Sequence, residues 1–122
     1  MENLKVEIKK RIYYWIIKLV NFIDKLSKDS SSQIMAKQLL RSGTSVGANY
    51  IEAQAASSRK DFTNFIHYSL KSANESKFWL ALLRDTNKTK SSDVKVILNE
   101  LDEISKILGA SLLTLKGRRN KS

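Results

Sequence analysis

The stretch Leu39-Leu-Arg-Ser-Gly-Thr-Ser-Val-Gly-Ala-Asn-Tyr-Ile-Glu-Ala-Gln-Ala-Ala56 is dense in small residues and holds two of the chain's four glycines. Gly43 and Gly47 are four apart, so in a helix they stack on successive turns. Each costs about 1 kcal/mol against alanine in a helix interior. Two such costs together imply a gain elsewhere, and close approach of a neighbouring helix is that gain. The spacing predicts a helix from about Gln33 to Ala56, with Ala36, Leu39, Leu40, Gly43, Gly47, Tyr50 and Ile51 sharing a face. A break at Ser42-Gly43-Thr44 is the competing reading. Arg41, Ser45, Asn49 and Glu52 form the opposite stripe, either solvated or a polar seam between subunits.

Working outward, the preceding segment reads as a helix from a cap at Asn3 to about Leu26. Ile8, Ile12, Trp15, Leu19, Phe22 and Leu26 recur at helical steps and fall in one core-facing arc. Val6, Tyr13, Ile17 and Val20 line up beside that arc. A lone bundle would leave this second stripe wet, and an oligomer would bury it. The polar break Ser27–Ser32 has the length of a loop between antiparallel helices, with Ser31 or Ser32 as the next cap.

After the small-residue helix, Ser58 with Asp61 resembles a capping box. A third helix follows to about Asp85, its main stripe including Phe62, Ile66, Ser69, Ala73, Ser76, Leu80 and Leu83. Phe78, Trp79 and Leu82 widen that stripe sideways, so Phe78 and Leu82 join the candidate oligomer surface. Ser92 is the candidate cap of a fourth helix carrying Val94, Ile97, Leu101, Ile104, Leu108 and Leu112, which Gly117 can end. Residues 1–117 then form one domain, and 118–122 a basic, disordered tail.

Four long helices with short connections predict an all-α fold, an up-down-up-down antiparallel four-helix bundle. That topology gathers Lys9, Lys10, Arg11, Arg59, Lys60, Lys116, Arg118, Arg119 and Lys121 at one end. A smaller group at the other end includes Lys25, Lys28, Arg84, Lys88 and Lys90. Of 122 residues, 22 are Lys or Arg and 12 are Asp or Glu, a formal charge of +10. Such an excess favours polyanion partners, RNA or DNA held by the phosphate backbone without sequence readout.

Other chemistries are weakly supported. The chain has no cysteine, which excludes disulfides and thiol catalysis, and no proline, which favours uninterrupted helices. Gly43-Thr-Ser45-Val-Gly47 matches a nucleophile-elbow pattern, but that pattern has meaning only on a strand–turn–helix. The only histidine, His67, falls close to the third helix's core arc and reads as structural. Glu52 and Glu75 lack the histidine three residues on that a di-metal bundle needs, and a polar contact with Arg41 is the better use for them. No metal or cofactor is expected, and no enzyme. The most apolar run, Ile12 to Val20, falls short of the ~20 residues of a membrane span. A cytoplasmic protein without a membrane partner is the expectation.

Leu40-Arg-Ser-Gly-Thr-Ser-Val-Gly-Ala-Asn49, Ile51-Glu-Ala53, Ser58-Arg-Lys-Asp-Phe62, Leu70-Lys-Ser-Ala-Asn-Glu75 and Trp79-Leu-Ala-Leu-Leu83 occur in that order. Together they resemble the signature of the bacterial four-helix-bundle proteins encoded in intervening sequences of 23S ribosomal RNA genes. The resemblance implies a homo-oligomeric ring of five subunits. It also implies relatives that serve as accessory subunits of diversity-generating retroelements, binding nucleic acid and a reverse transcriptase through basic surfaces. A protein-interaction scaffold docking such a partner enzyme is therefore the alternative expectation. No catalytic role transfers with the motifs.

Overall fold

The structure, a computed structural model, describes the backbone of residues 2–121; the side chains of residues 2–6, Lys116 and residues 118–121 lie outside the described residues. Four helices follow one another, α1 Glu2–Asp24, α2 Ser30–Gln54, α3 Arg59–Asp85 and α4 Ser91–Lys121. Among the described residues there is no strand. α2 runs unbroken through Gly43 and Gly47, so the competing break at Ser42-Gly43-Thr44 is not taken.

Local chemistry sets the helix ends, with several shifts from expectation. Asn3 lies inside α1, which starts at Glu2. Asp29, not Ser31 or Ser32, caps α2: its carboxylate accepts from the Ser32 backbone N–H at 3.3 Å and from Ser31 Oγ at 2.9 Å. A carboxylate outcompetes a serine hydroxyl there because it also answers the positive end of the helix dipole. Ser58 does cap α3, accepting from the Asp61 N–H at 3.1 Å. Just past the end of α3 at Asp85, Asn87 has φ 59°. The Lys88 N–H returns to the Leu83 carbonyl and the Asn87 N–H to that of Arg84, a Schellman closure that turns the chain sharply out of the helix. Ser92 is the second residue of α4 and not its cap, and Gly117 lies within α4, which continues to Lys121 where composition suggests an irregular tail.

Cross-helix pairs give the topology. Trp15 Nε1 donates to the Ile97 carbonyl at 3.1 Å and Arg11 meets Glu100 at 2.8 Å, so rising numbers on α1 meet falling numbers on α4. Gly43 sits against Leu19 and Gly47 against Ile12, which makes α1 and α2 antiparallel. Ser42 Oγ meets Ser76 Oγ at 2.8 Å, and Ser69 Oγ donates to the Val46 carbonyl at 2.7 Å, so α2 and α3 are antiparallel too. The helices pack in the cyclic order α1, α2, α3, α4, an all-α antiparallel four-helix bundle.

The core carries Trp15, Leu19, Leu39, Val46, Leu80, Leu83, Leu101 and Ile104, all buried. Each large side chain contributes about 1.5–3 kcal/mol by leaving water. Small residues decide how closely the helices approach. Ser42, Ser69, Ala73 and Ser76 are buried where α2 meets α3, and the serines stay bonded to one another or to backbone carbonyls. That satisfies the rule that a buried hydroxyl needs a partner. On the other flank of α2, Gly43 and Gly47 face α1.

Candidate functional site

Antiparallel packing puts the first half of α1, the α2–α3 turn and the C-terminal turns of α4 at the same end of the bundle. Lys9 and Lys10 stand exposed on α1, and Arg59 and Lys60 stand exposed on the first turn of α3. Arg11 differs from them. Its Nε and Nη2 both reach Glu100 Oε1, at 3.1 and 2.8 Å, and the pair is half-buried. The Glu100 carboxylate, through these hydrogen bonds, raises the already high guanidinium pKa, so Arg11 is permanently charged and already paired. The side chains of Lys116, Arg118, Arg119 and Lys121 lie outside the described residues.

Beside Lys9 and Lys10 runs a groove of about 500 Å³ between α1 and α2, walled by Tyr13, Tyr14, Ile16 and Ile51 with Gly47 and Ala48 in its lining. Tyr13 is 62% exposed, and Ile17 and Val20 continue its stripe along α1 in water. Across the groove, Leu40 and Ile51 are also exposed. Both shared the predicted core face of α2; in the structure they sit at its outer edge, because the glycines draw α1 onto the centre of that face and leave its margin uncovered. The exposed apolar surface is thus wider than the α1 stripe alone, and the clue was present: a core face of seven residues is wider than one neighbouring helix covers. Val6 lies outside the residues with described side chains.

The surface formed by α2 and α3 is mixed. Phe78 is 58% exposed and makes an edge-to-face contact with Trp79. Leu82 is half-buried against the core and belongs more to the bundle than to an outer surface. His67 is exposed, away from the core arc where its spacing puts it. Arg41 bridges Gln38 and Glu75, and Trp79 Nε1 donates to the same Glu75 carboxylate at 2.9 Å. Glu75 therefore ties two helices together, the polar contact with Arg41 that the spacing suggests. Among the described residues no three acidic or histidine side chains converge as metal ligands. No described helix is long and apolar enough to cross a membrane.

At the opposite end, Lys88 Nζ pairs with Asp29 at 2.9 Å and Arg84 pairs with its neighbour Asp85 at 2.9 Å. These two cations of the smaller group are engaged, whereas Lys25 and Lys90 have no ion-pair partner among the described residues.

The comparisons with known proteins agree with this architecture. No curated protein matches the sequence. A solved structure from Bacteroides thetaiotaomicron VPI-5482, described as a protein of unknown function from the S23 ribosomal protein family, superposes with a TM-score of 0.83 at 37% identity. The alignment covers 88% of this chain and 96% of that one. The family model for the 23S rRNA-intervening sequence protein matches residues 5–110. Since that span takes in all but the ends of the bundle, the chain belongs to the 23S rRNA-intervening sequence protein family.

Proposed function

We propose that this chain is a non-enzymatic cytoplasmic protein that self-associates into a ring, of five subunits, and holds nucleic acid by its phosphate backbone. One observation carries the reading. The α1/α2 groove places an uncovered apolar wall, Tyr13 and Ile51, directly beside two exposed lysines, Lys9 and Lys10. A second copy covering the wall removes apolar surface from water and sets the lysines of successive subunits in one rim. Arg59 and Lys60 stand at the same end and extend it. The formal charge of +10 supports a polyanion as the partner. Phosphate contacts of this kind release counterions, so binding must weaken steeply as salt rises.

Light scattering at micromolar concentration, paired with anisotropy titrations of structured RNA and duplex DNA, tests both halves. A monomer of 13.9 kDa would remove the assembly. Absence of binding at low salt would remove the nucleic-acid role. A second reading, a scaffold docking a partner enzyme such as a reverse transcriptase, is favoured by the groove's form, since an apolar trough with a basic rim suits an acidic amphipathic helix. It predicts a monomer until the partner is added.

A further inference from the structure

The end of the bundle away from Lys9 and Lys10 holds a second concavity, of about 420 Å³, where α1 faces the α3–α4 turn. Its wall is made by Lys18, Asn21 and Lys25 from α1 and by Lys88, Thr89 and Lys90 from the turn. The local fold explains the convergence. Asn87 in the left-handed region reverses the chain as it leaves α3, and the Lys88–Leu83 backbone bond fixes that reversal. Residues 88–90 are thereby laid across the flank of α1 that carries Lys18 and, about two helical turns further on, Lys25.

Charge in this concavity is unbalanced. Lys88 is neutralised by Asp29 at 2.9 Å. Lys18, Lys25 and Lys90 have no ion-pair partner among the described residues, and Asp93 is the sole acid in the lining. Ammonium groups facing one hollow repel one another, and an anion seated among them reverses the sign of that energy. Lysine suits phosphate as a mobile point charge with three donors, and the Asn21 amide and Thr89 hydroxyl add neutral donors. The floor is formed by Phe22 and Ile97, both buried, so the lining offers no exposed aromatic face on which a base could stack.

We infer that this hollow between α1 and the α3–α4 turn is a binding site for clustered phosphates, taking a triphosphate-type anion by charge and without base recognition. It is separate from the α1/α2 groove and does not depend on the ring. Two sources share this chemistry, a free nucleoside triphosphate and the backbone or 5′ end of an RNA strand.

Isothermal titration of the full chain at low ionic strength tests it, with inorganic triphosphate, ATP, inorganic monophosphate and a single-stranded RNA as probes. Saturable binding of triphosphate and ATP with similar affinity, tighter than monophosphate, is expected. Lys18→Gln with Lys90→Gln should weaken triphosphate binding at least tenfold, while Lys9→Gln with Lys10→Gln should leave it within twofold. RNA displaced by triphosphate would assign the strand as the source; RNA bound alongside it, at the other end, would assign the free nucleotide. Absence of saturable triphosphate binding, or equal loss in both lysine pairs, overturns the site. Because these side chains are exposed and unpaired, circular dichroism should report an unchanged fold, and a variant that nonetheless unfolds is replaced by the single Lys90→Gln change, with the same tenfold criterion relaxed to threefold.

Discussion

Gly43 and Leu19 are packed so closely that a Cβ built on the glycine falls on Leu19 Cδ2, with Trp15 next at 3.5 Å. Leu19 and Trp15 are both buried, so neither has room to retreat. Replacing Gly43 by Ala adds helix propensity of about 1 kcal/mol but forces overpacking that costs about 1–3 kcal/mol. Overpacking wins. Gly43→Ala should lower the melting temperature by about 3–8 °C. Gly109 provides the control, since a Cβ there meets nothing within 4 Å and its φ is negative. Gly109→Ala should raise the melting temperature by a few degrees, following a gain of about 0.5–1 kcal/mol. The two substitutions are chemically identical, and opposite signs in a thermal melt would establish that proximity to Leu19 decides the first. Two stabilising outcomes would refute the packing role.

The bundle was legible because its evidence is periodic. Leu39 and Tyr50 on α2, and Trp15 and Leu19 on α1, repeat at helical spacing, and polar breaks separate the runs. What escaped was decided by tertiary geometry. Leu40 and Ile51 have core-like spacing, yet they are exposed because the glycines pull α1 toward one part of α2. The choice of Asp29 over Ser31 as cap depended on where the helix begins, and Ser31 itself donates to the Asp29 carboxylate, a pairing that composition does not announce. The engagement of Arg11 by Glu100 joins residues 89 apart in sequence, so no local pattern announces it. A count of cations at one end therefore included one already neutralised.

Ser105 is buried and its Oγ has no hydrogen-bond partner among the described residues. An unpaired buried hydroxyl costs about 1–3 kcal/mol. Ser105→Ala removes that penalty with little change of shape and should raise stability by about 1 kcal/mol. Ser69 is its counterpart, buried but donating to the Val46 carbonyl at 2.7 Å. Ser69→Ala should lower stability by about 1 kcal/mol. Urea denaturation with an unchanged slope is the appropriate measurement, and a loss of stability in Ser105→Ala would contradict the assignment.

Asp29 carries four hydrogen bonds, from Ser27, Ser31, the Ser32 N–H and Lys88, which hold its carboxyl far below the usual carboxylate range. Its unfolded pKa is about 3.9. A depressed folded value means that the ionised form stabilises the fold above about pH 4, and that this contribution is lost as pH falls below that value. Asn caps a helix nearly as well as Asp but does not titrate. Melting temperatures of the parent and Asp29→Asn should differ most near neutral pH, and the gap should shrink progressively as pH falls below about 4. A gap independent of pH would mean that the charge of Asp29 contributes nothing.

Arg11 and Lys10 are adjacent in sequence at the basic end, yet their environments separate stability from binding. Arg11 is held on Glu100 through two of its nitrogens, Nε and Nη2, in a half-exposed pair worth about 0.5–1 kcal/mol after screening. Lys9 and Lys10 are exposed and without ion-pair partners among the described residues. A cation already neutralised by a carboxylate displaces no counterion when nucleic acid arrives, whereas each free lysine that meets a phosphate contributes about 0.7–0.9 to the slope of log affinity against log salt. Lys9→Gln with Lys10→Gln should flatten that slope by about 1.4–1.8 and leave the melting temperature unchanged. Arg11→Gln should do the reverse, lowering the melting temperature by a few degrees with the slope unaltered. Glu100→Gln then discriminates further: it frees the guanidinium, so the same loss of stability should come with a slope steeper by up to about 0.9. Identical slopes in all three variants would place the phosphate contacts elsewhere on the molecule.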